Sequence, residues 1–171
     1  MPARHCSPPA PPVTTTDPGT TTTTTTTITE GGTTTTAEGG ERGGTRTARA
    51  LWTGGWRCEV EAGGFALVVD EPVEVGGTGS GPMPTDLLLA SLSSCFALAL
   101  AWAARKRGAE LPDLEVSATG TYQGSRFASL VLRVESSLPD DELTALFEPA
   151  TRACYVSNTF AHVPVVTVEL A

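Results

Sequence analysis

Apolar and polar residues alternate in short runs after residue 45. In the second run, Cys58 and Val60 alternate with charged residues, which is the two-residue period of a half-buried strand. Glycine pairs at 54–55 and 63–64 separate three such runs, and a Gly-Gly pair between alternating runs is typical of a hairpin. The pattern therefore predicts an antiparallel meander over residues 45–70.

A long stretch without charge, residues 87–104, follows a loop rich in glycine and proline. Pro84 suits the first position of a helix, and the Asp86 carboxylate falls in the first turn, where backbone amides lack partners. Gly108 is a natural C-terminal cap. These signals predict a helix from Pro84 to about Arg107.

This apolar stretch is 18 residues long, the lower limit for a membrane span. Its three serines and six alanines weaken the drive into lipid, and the strands on either side need an apolar element to cover them. A helix that is apolar on all sides is otherwise a central one. Because one chain of this size can hardly enclose such a helix, the pattern favours a homodimer over a membrane protein.

The remainder of the chain predicts a hairpin, a helix and a strand. Two alternating runs, 113–123 and 126–137, are joined by a glycine turn, and residues 163–171 read as a final strand. Residues 138–154 favour a second helix, which Pro149 is expected to kink or break. Glycine-punctuated hairpins imply antiparallel pairing, so the predicted fold class is α+β.

Composition limits how much of the chain can fold. Residues 1–44 are rich in threonine, proline and glycine and carry too few large apolar side chains to offset the entropy of ordering. We therefore predict a disordered tail over 1–44 and a single domain over 45–171. The net charge of −8 argues against nucleic acid. The tail does not resemble a secretory signal, so a cytoplasmic location is expected.

Cys95 lies in the middle of the long apolar helix, in a stripe of small residues with Ser91 and Ser94. A thiol in this setting is either an inert part of the core or a reactive group with room for a ligand beside it. Of the other cysteines, Cys6 falls in the tail and Cys58 on the apolar face of a strand. The residues alone leave the role of Cys95 open.

Two segments of the sequence help to decide whether Cys95 is inert or reactive. Residues 71–95, "EPVEVGGTGSGPMPTDLLLASLSSC", contain a Gly-Gly pair, a Gly-Pro-x-Pro motif, an acidic residue and a Leu/Ala-rich helix that ends in cysteine. Residues 150–160, "ATRACYVSNTF", contain a second cysteine. In this order, the segments resemble the OsmC/Ohr family, named for osmotically inducible protein C and organic hydroperoxide resistance protein. The resemblance covers about 46–171.

This resemblance implies an intertwined homodimer in which antiparallel sheets surround two central helices. It also implies a thiol-dependent peroxidase that reduces organic hydroperoxides, with Cys95 as the peroxidatic cysteine and Cys154 as the resolving one. An external dithiol reductant then restores both thiols, and no metal or bound organic cofactor is needed. Two alternatives stay open: a dimer that binds a small apolar or thiol-reactive molecule without turnover, and a pair of inert core cysteines.

A thiol in apolar surroundings needs a nearby positive group to ionise. The resemblance implies an arginine from the N-terminal strands, held by an acidic residue near the start of the helix. Arg57 and Asp86 are the candidates, while Arg46 and Arg49 remain open. Because Asp86 is nine residues from Cys95, roughly 13.5 Å along a helix, it would act through an arginine or from the other subunit. Stabilising the first helical turn is its alternative role.

One further side chain on the long helix is placed by its spacing. Trp102 follows Cys95 by seven residues and is therefore on the same side of the helix. We expect it to line the core near the thiol and to shape an apolar substrate pocket.

Overall fold

A computed structural model describes residues 44–170 and the short strand Thr27–Ile28. The described residues fall into two compact units. One consists of residues 87–164, and the other contains 44–86 and 165–170. Most of the predicted tail, 1–44, lies outside the described residues, so its disorder and the domain limits remain predictions.

The unit that contains residues 44–86 is built on an antiparallel sheet. Its strands follow one another in the order β1-β2-β3-β4, which confirms the predicted meander. The Cα partners include Ala50 with Val60 and Val60 with Leu67. The strands are β1 (Thr27–Ile28), β2 (Arg46–Gly54), β3 (Arg57–Ala62) and β4 (Phe65–Val69).

The loop that leaves β4 is pinned by a buried carboxylate. Asp70 Oδ2 accepts hydrogen bonds from the backbone amides of Thr78 and Ser80 at 3.0 and 3.1 Å, and from both hydroxyl groups. The Thr78 hydroxyl, followed by the other donors, holds the pKa of Asp70 well below its usual range, although burial opposes this. The bonds hold the chain in a fixed path over residues 70–80, which includes a 3-10 turn at Val73–Val75.

The long helix α1 (Pro84–Lys106) has the predicted limits. At its start, Asp86 Oδ2 accepts a hydrogen bond from the Met83 amide at 3.0 Å, so the carboxylate caps the first turn. At its end, Gly108 adopts a φ of 67°. The Ala109 amide then reaches back to the Ala104 carbonyl at 3.0 Å, a Schellman cap that stops the helix.

One stripe of α1 forms the core of the 87–164 unit. Its buried residues recur every three or four positions, as expected for one helical face: Leu92, Phe96, Ala99, Leu100, Ala103 and Ala104. Side chains from the hairpin β5 (Glu115–Gln123) and β6 (Arg126–Glu135) pack against this stripe. The ring centroids of Phe96 and Phe147 lie 6.5 Å apart. The predicted hairpin and the α+β class are therefore confirmed.

The region predicted as one interrupted helix, residues 138–154, contains two short helices, α2 (Asp140–Thr144) and α3 (Phe147–Ala153). A third helix, α4 (Tyr155–Ala161), follows beyond the predicted limit. Pro149 has no N–H to bond the carbonyl four residues earlier. The break accordingly falls just before it, at residues 145–146. The expected interruption is confirmed, and a second break occurs at Cys154.

The predicted final strand over residues 163–171 is wrong for its described part, because residues 163–170 form no strand. The segment is apolar in alternation, but Val165 is 89% exposed and Leu170 is 87% exposed. A strand needs a neighbouring strand edge to satisfy its backbone groups. The alternating pattern indicates β-propensity, but it does not indicate whether the fold offers a neighbouring strand to pair with.

The prediction that Trp102 lines the core is also wrong. This residue lies outside the buried stripe of α1 and is 48% exposed. Lys106 Nζ lies 5.8 Å from the centroid of its ring, a cation–π contact at the protein surface. Leu98, on the same helix, is 73% exposed. The outward face of α1 therefore presents large apolar side chains to solvent in a single chain.

Candidate two-cysteine site

The two cysteines of the sequence motifs meet in the 87–164 unit. Cys95 is half-buried on α1, and Cys154 is completely buried in the core cluster. Cys95 packs against this cluster, and both cysteines are free thiols. The Cys154 thiol is near enough to Cys95 to raise its pKa. The site thus places one accessible sulfur beside one shielded sulfur.

The backbone around Cys154 explains how this sulfur is held. The residue ends α3, because its amide bonds the Ala150 carbonyl at 2.9 Å. It then leaves helical geometry, with φ −79° and ψ 105°, and becomes the N-cap of α4. Its sulfur accepts a hydrogen bond from the Ser157 amide at 3.5 Å. The side chain is therefore fixed at the corner between two helices.

The environment of Cys95 acts on its ionisation in two directions. Burial raises the pKa of the Cys95 thiol, and the Cys154 thiol raises it further. The backbone amides of Val156 and Tyr155 lower the pKa, because an N–H group near the sulfur favours the thiolate. Burial is the strongest of these influences, so the net shift of the pKa is upward.

The two accessory candidates have partners of their own. Arg57 lies on β3, where its guanidinium pairs with Glu59 at 3.4 Å and donates to the Thr53 hydroxyl at 3.2 Å. Asp86 caps the start of α1 through the Met83 amide, which is the structural role anticipated for it. The activation of Cys95 by either residue remains a prediction, as it does for Arg46 and Arg49.

Sequence reasoning missed the two backbone amides beside Cys95. A backbone amide carries no side-chain signature, so only the fold reveals which amides lie near Cys95.

Sequence reasoning also missed the buried Asp70, although the residues around it form a recognisable pattern. An aspartate at the end of a strand, followed by threonine and serine in a glycine-rich loop, is typical of a carboxylate that collects backbone donors.

No cluster of three or more His, Cys, Asp or Glu side chains suited to a metal ion occurs among residues 44–170. The chemistry available at the two-cysteine site is that of sulfur: ionisation, nucleophilic attack and disulfide formation. This defines the class as an α+β protein with a paired-thiol site.

Comparison with known proteins identifies the family. The family model for OsmC-like protein matches residues 77–169, and the chain therefore belongs to the OsmC family. An uncharacterised protein of Haloferax volcanii is 31% identical over 108 residues, which cover 61% of this chain and 78% of the relative.

Two solved structures illustrate the similarity. The organic hydroperoxide resistance protein OsmC of Legionella pneumophila has 26% identity and a TM-score of 0.56, covering 68% of this chain and 88% of its own. A Vibrio cholerae protein assigned to organic hydroperoxide resistance, with captopril bound in one of its active sites, has 27% identity and a TM-score of 0.55. The match covers 66% of this chain and 83% of the Vibrio chain. The α+β architecture with antiparallel sheets is that of these neighbours.

The family also bears on α1, whose length and apolar composition alone would suit a membrane span. In this chain, the helix contributes the buried stripe that the β5–β6 hairpin covers. Together with the match to the OsmC family, this supports a soluble protein with α1 as a core helix.

Proposed function

We propose that this protein is a thiol-dependent peroxidase that reduces organic hydroperoxides through Cys95 and Cys154. The observation that carries the proposal is the pairing of a half-buried thiol with a completely buried one across a long separation in sequence. The relatives in Legionella and Vibrio, assigned to organic hydroperoxide resistance, supply the substrate class.

The reaction balances with these two sulfurs and one external reductant. The Cys95 thiolate attacks the outer oxygen of the hydroperoxide, the O–O bond breaks, and the leaving alkoxide takes a proton to become an alcohol. Cys95 is then a sulfenic acid. Cys154 attacks its sulfur, forming a disulfide and releasing water. A dithiol reduces that disulfide and is itself oxidised, which restores both thiols.

The difference in burial suits this order of events. The half-buried Cys95 can meet a substrate from solvent, whereas Cys154 has no exposed surface and is shielded from direct oxidation. Cys95 packs against the cluster that contains Cys154, and the disulfide step requires the Cα atoms of the two residues to come within about 7 Å. The apolar cluster around both residues favours a hydroperoxide with a lipophilic organic group.

A homodimer is part of the proposal. The outward face of α1 exposes Leu98 and Trp102, and a second copy of the chain would cover these side chains. Large exposed apolar surfaces on soluble proteins usually mark interaction sites. A cytoplasmic location and an external dithiol partner complete the proposed setting, since thiols stay reduced in that compartment.

The raised pKa of Cys95 favours a second candidate, a dimeric protein that binds a small apolar or thiol-reactive ligand without peroxidase turnover. Burial and the neighbouring Cys154 thiol both disfavour the thiolate, which is the reactive form. A mostly protonated thiol would still line a binding pocket. The two candidates differ in whether hydroperoxide consumes both thiols.

The test is a titration of free thiols before and after addition of one equivalent of cumene hydroperoxide. The wild-type chain should lose two thiols, while Cys154→Ser should stop with an oxidised Cys95. Cys95→Ser should not react. The matched control is Cys58→Ser, which removes a half-buried thiol on β3 and should leave the loss of two thiols unchanged.

Other outcomes would exclude the peroxidase. A wild-type chain that retains all its thiols, yet binds cumyl alcohol in a calorimetric titration, would establish the binding candidate. Oxidation confined to Cys58 or Cys6 would show that the Cys95 and Cys154 pair is not redox-active.

A further inference from the structure

A disulfide between Cys95 and Cys154 can be reduced in two ways. A thiolate that attacks one of the two sulfurs becomes bonded to it, while the other sulfur leaves. The two attacks therefore give different intermediates, with the reductant held either on Cys95 or on Cys154. Access to each sulfur is one of the properties that decide which of them is attacked.

Cys154 has no surface that a reductant could reach. The residue is completely buried in a cluster of apolar side chains that includes Leu100, Leu146 and Ala150, each of which is at most 2% exposed. A thiolate that approached the Cys154 sulfur would have to displace part of this cluster and give up its own hydration. Attack on Cys154 thus requires the core to open.

Main-chain bonds on both sides of Cys154 keep this part of the core closed. Its amide donates to the Ala150 carbonyl at 2.9 Å, and its carbonyl accepts from the Asn158 amide and the Ser157 hydroxyl at 3.1 Å each. The Asn158 side-chain amide donates to the Arg152 carbonyl at 3.0 Å. Because these bonds join α3 to α4, exposing the Cys154 sulfur means breaking the corner between the two helices.

Cys95 is the accessible member of the pair. It packs against the cluster without being enclosed by it, and its side chain is half-buried. Residues four positions before and three positions after a helical residue lie on the same face. For Cys95 these are Ser91 and Leu98, and both are exposed. A thiolate can therefore reach the Cys95 sulfur along this face of α1 while the core stays closed.

We propose that the reducing dithiol attacks the sulfur of Cys95 and that Cys154 is the sulfur that leaves. One thiolate of the dithiol bonds to Cys95, the Cys95–Cys154 bond breaks, and Cys154 departs as a thiolate and takes up a proton. The second thiolate of the dithiol then attacks the reductant sulfur held on Cys95. This forms the disulfide of the reductant and releases Cys95, which takes up a proton.

Cys95 thus has a second role, since hydroperoxide and reductant react in turn with the same sulfur. Cys154 reacts only with Cys95 and never with a molecule from solvent. The role of this preference in turnover rests on the proposed peroxidase function, whereas the preference itself depends only on the difference in access.

The test uses a disulfide that is made without peroxide. The wild-type chain is oxidised with diamide, exposed briefly to β-mercaptoethanol and quenched with acid. A monothiol cannot carry out the second step, so it stays on the sulfur that it attacked. Peptide mapping by mass spectrometry under non-reducing conditions should find the adduct on Cys95 and a free thiol at Cys154. Adducts mainly on Cys154, or no disulfide between the two peptides after diamide, would overturn the proposal.

The control is the same oxidised chain unfolded in guanidinium chloride before β-mercaptoethanol is added. Unfolding removes the cluster that shields Cys154, so adducts should then appear on both cysteines. Their detection shows that the map can register an adduct on Cys154. A preference for Cys95 that persisted unchanged in the unfolded chain would show that the fold does not cause it, which would also overturn the proposal.

A second measurement examines the reduced thiols one at a time. Cys154→Ser retains Cys95, and Cys95→Ser retains Cys154. At a pH high enough that the rate no longer rises, iodoacetamide should alkylate Cys154 at least about tenfold more slowly than Cys95, because a fully buried thiol reacts only after local opening. Cys58, half-buried on β3, is the internal reference in both variants. Equal rates relative to Cys58 would contradict the difference in access.

Neither measurement involves peroxide, so this proposal and the peroxidase proposal fail separately. Adducts on Cys95 in a chain that leaves cumene hydroperoxide unreduced would refute the peroxidase and keep the preference for Cys95. Rapid reduction of cumene hydroperoxide by a chain that carries its adducts on Cys154 would refute the preference and keep the peroxidase.

Discussion

The half-buried thiol of Cys95 lies against the completely buried thiol of Cys154. The first comes from the long helix α1 and the second from the corner between α3 and α4. Each thiol is therefore part of the other's environment, and a substitution at one should change the ionisation of the other.

Replacement of the buried thiol should make the accessible one more acidic. Cys154 raises the pKa of Cys95 both as a hydrogen-bond partner and through charge, so Cys154→Ala withdraws both influences. We expect the pKa of Cys95 to fall and its alkylation at neutral pH to become faster, because a larger fraction is thiolate. Site-resolved mass spectrometry of alkylated peptides measures this. Cys58→Ala should have no effect, and an unchanged Cys95 rate in Cys154→Ala would contradict the contact.

Asp70 should make the stability of the protein depend on acid pH. Its hydrogen bonds hold the pKa of the folded carboxyl well below the usual range. The folded state therefore favours the carboxylate, and the stabilisation is fully present above the unfolded pKa of about 3.9. It is lost as the pH falls from there through the lower, folded pKa.

Asp70→Asn tests this dependence. At neutral pH, the variant should unfold at a lower denaturant concentration than the wild type, because an amide cannot accept the same set of donors. The difference should shrink as the pH falls below about 4. Asp140→Asn, at an exposed position on α2, is the control and should unfold like the wild type. If the difference in unfolding denaturant concentration between the wild type and Asp70→Asn stayed constant down to pH 2, the lowered pKa of Asp70 would be refuted.

The helix α1 and the hairpins could be predicted because their signals are local. Pro84 and Gly108 mark where the helix begins and ends, and the glycine pairs mark the turns. The helices after Leu138 were predicted only in part. Pro149 indicates the break between α2 and α3, whereas the predicted helix ended at residue 154 and no local signal indicated the further helix α4. The strand predicted over 163–171 failed because pairing depends on a neighbouring edge, which is a property of the assembled fold.

The candidate site was predictable only where side chains carry the chemistry. Cys95 and Cys154 were found through the motifs around them, and the structure places them together. The backbone amides of Tyr155 and Val156, which lower the pKa of Cys95, could not be predicted as part of the site, because every residue except proline has such an amide. Trp102 was misplaced because a helix that is apolar on all sides gives no indication of which face a single chain buries.

The buried stripe of α1 should dominate the stability of the 87–164 unit. Leu100 has no exposed surface and lies in the core cluster. We expect Leu100→Ala to reduce the free energy of unfolding by about 2–5 kcal/mol, from lost burial and the cavity left behind. Urea denaturation measures the change. Glu110→Ala, at an exposed position, should stay within about 0.5 kcal/mol of wild type, and a similarly small effect at Leu100 would contradict the packing.

The outward stripe of α1 should control assembly. If a second copy covers Leu98, then Leu98→Lys places a charge in an apolar interface and should convert dimers to monomers. Sedimentation velocity at micromolar concentration distinguishes the two states. Ser129→Lys, an exposed position on β6, is the control and should remain dimeric. A wild-type chain that sediments as a monomer would refute the proposed dimer.

The most direct test of the peroxidase is a peptide map under non-reducing conditions after one equivalent of cumene hydroperoxide. The peptides containing Cys95 and Cys154 should become joined by a disulfide, with one equivalent of cumyl alcohol released. A map in which both cysteines remain thiols while the hydroperoxide persists would contradict it.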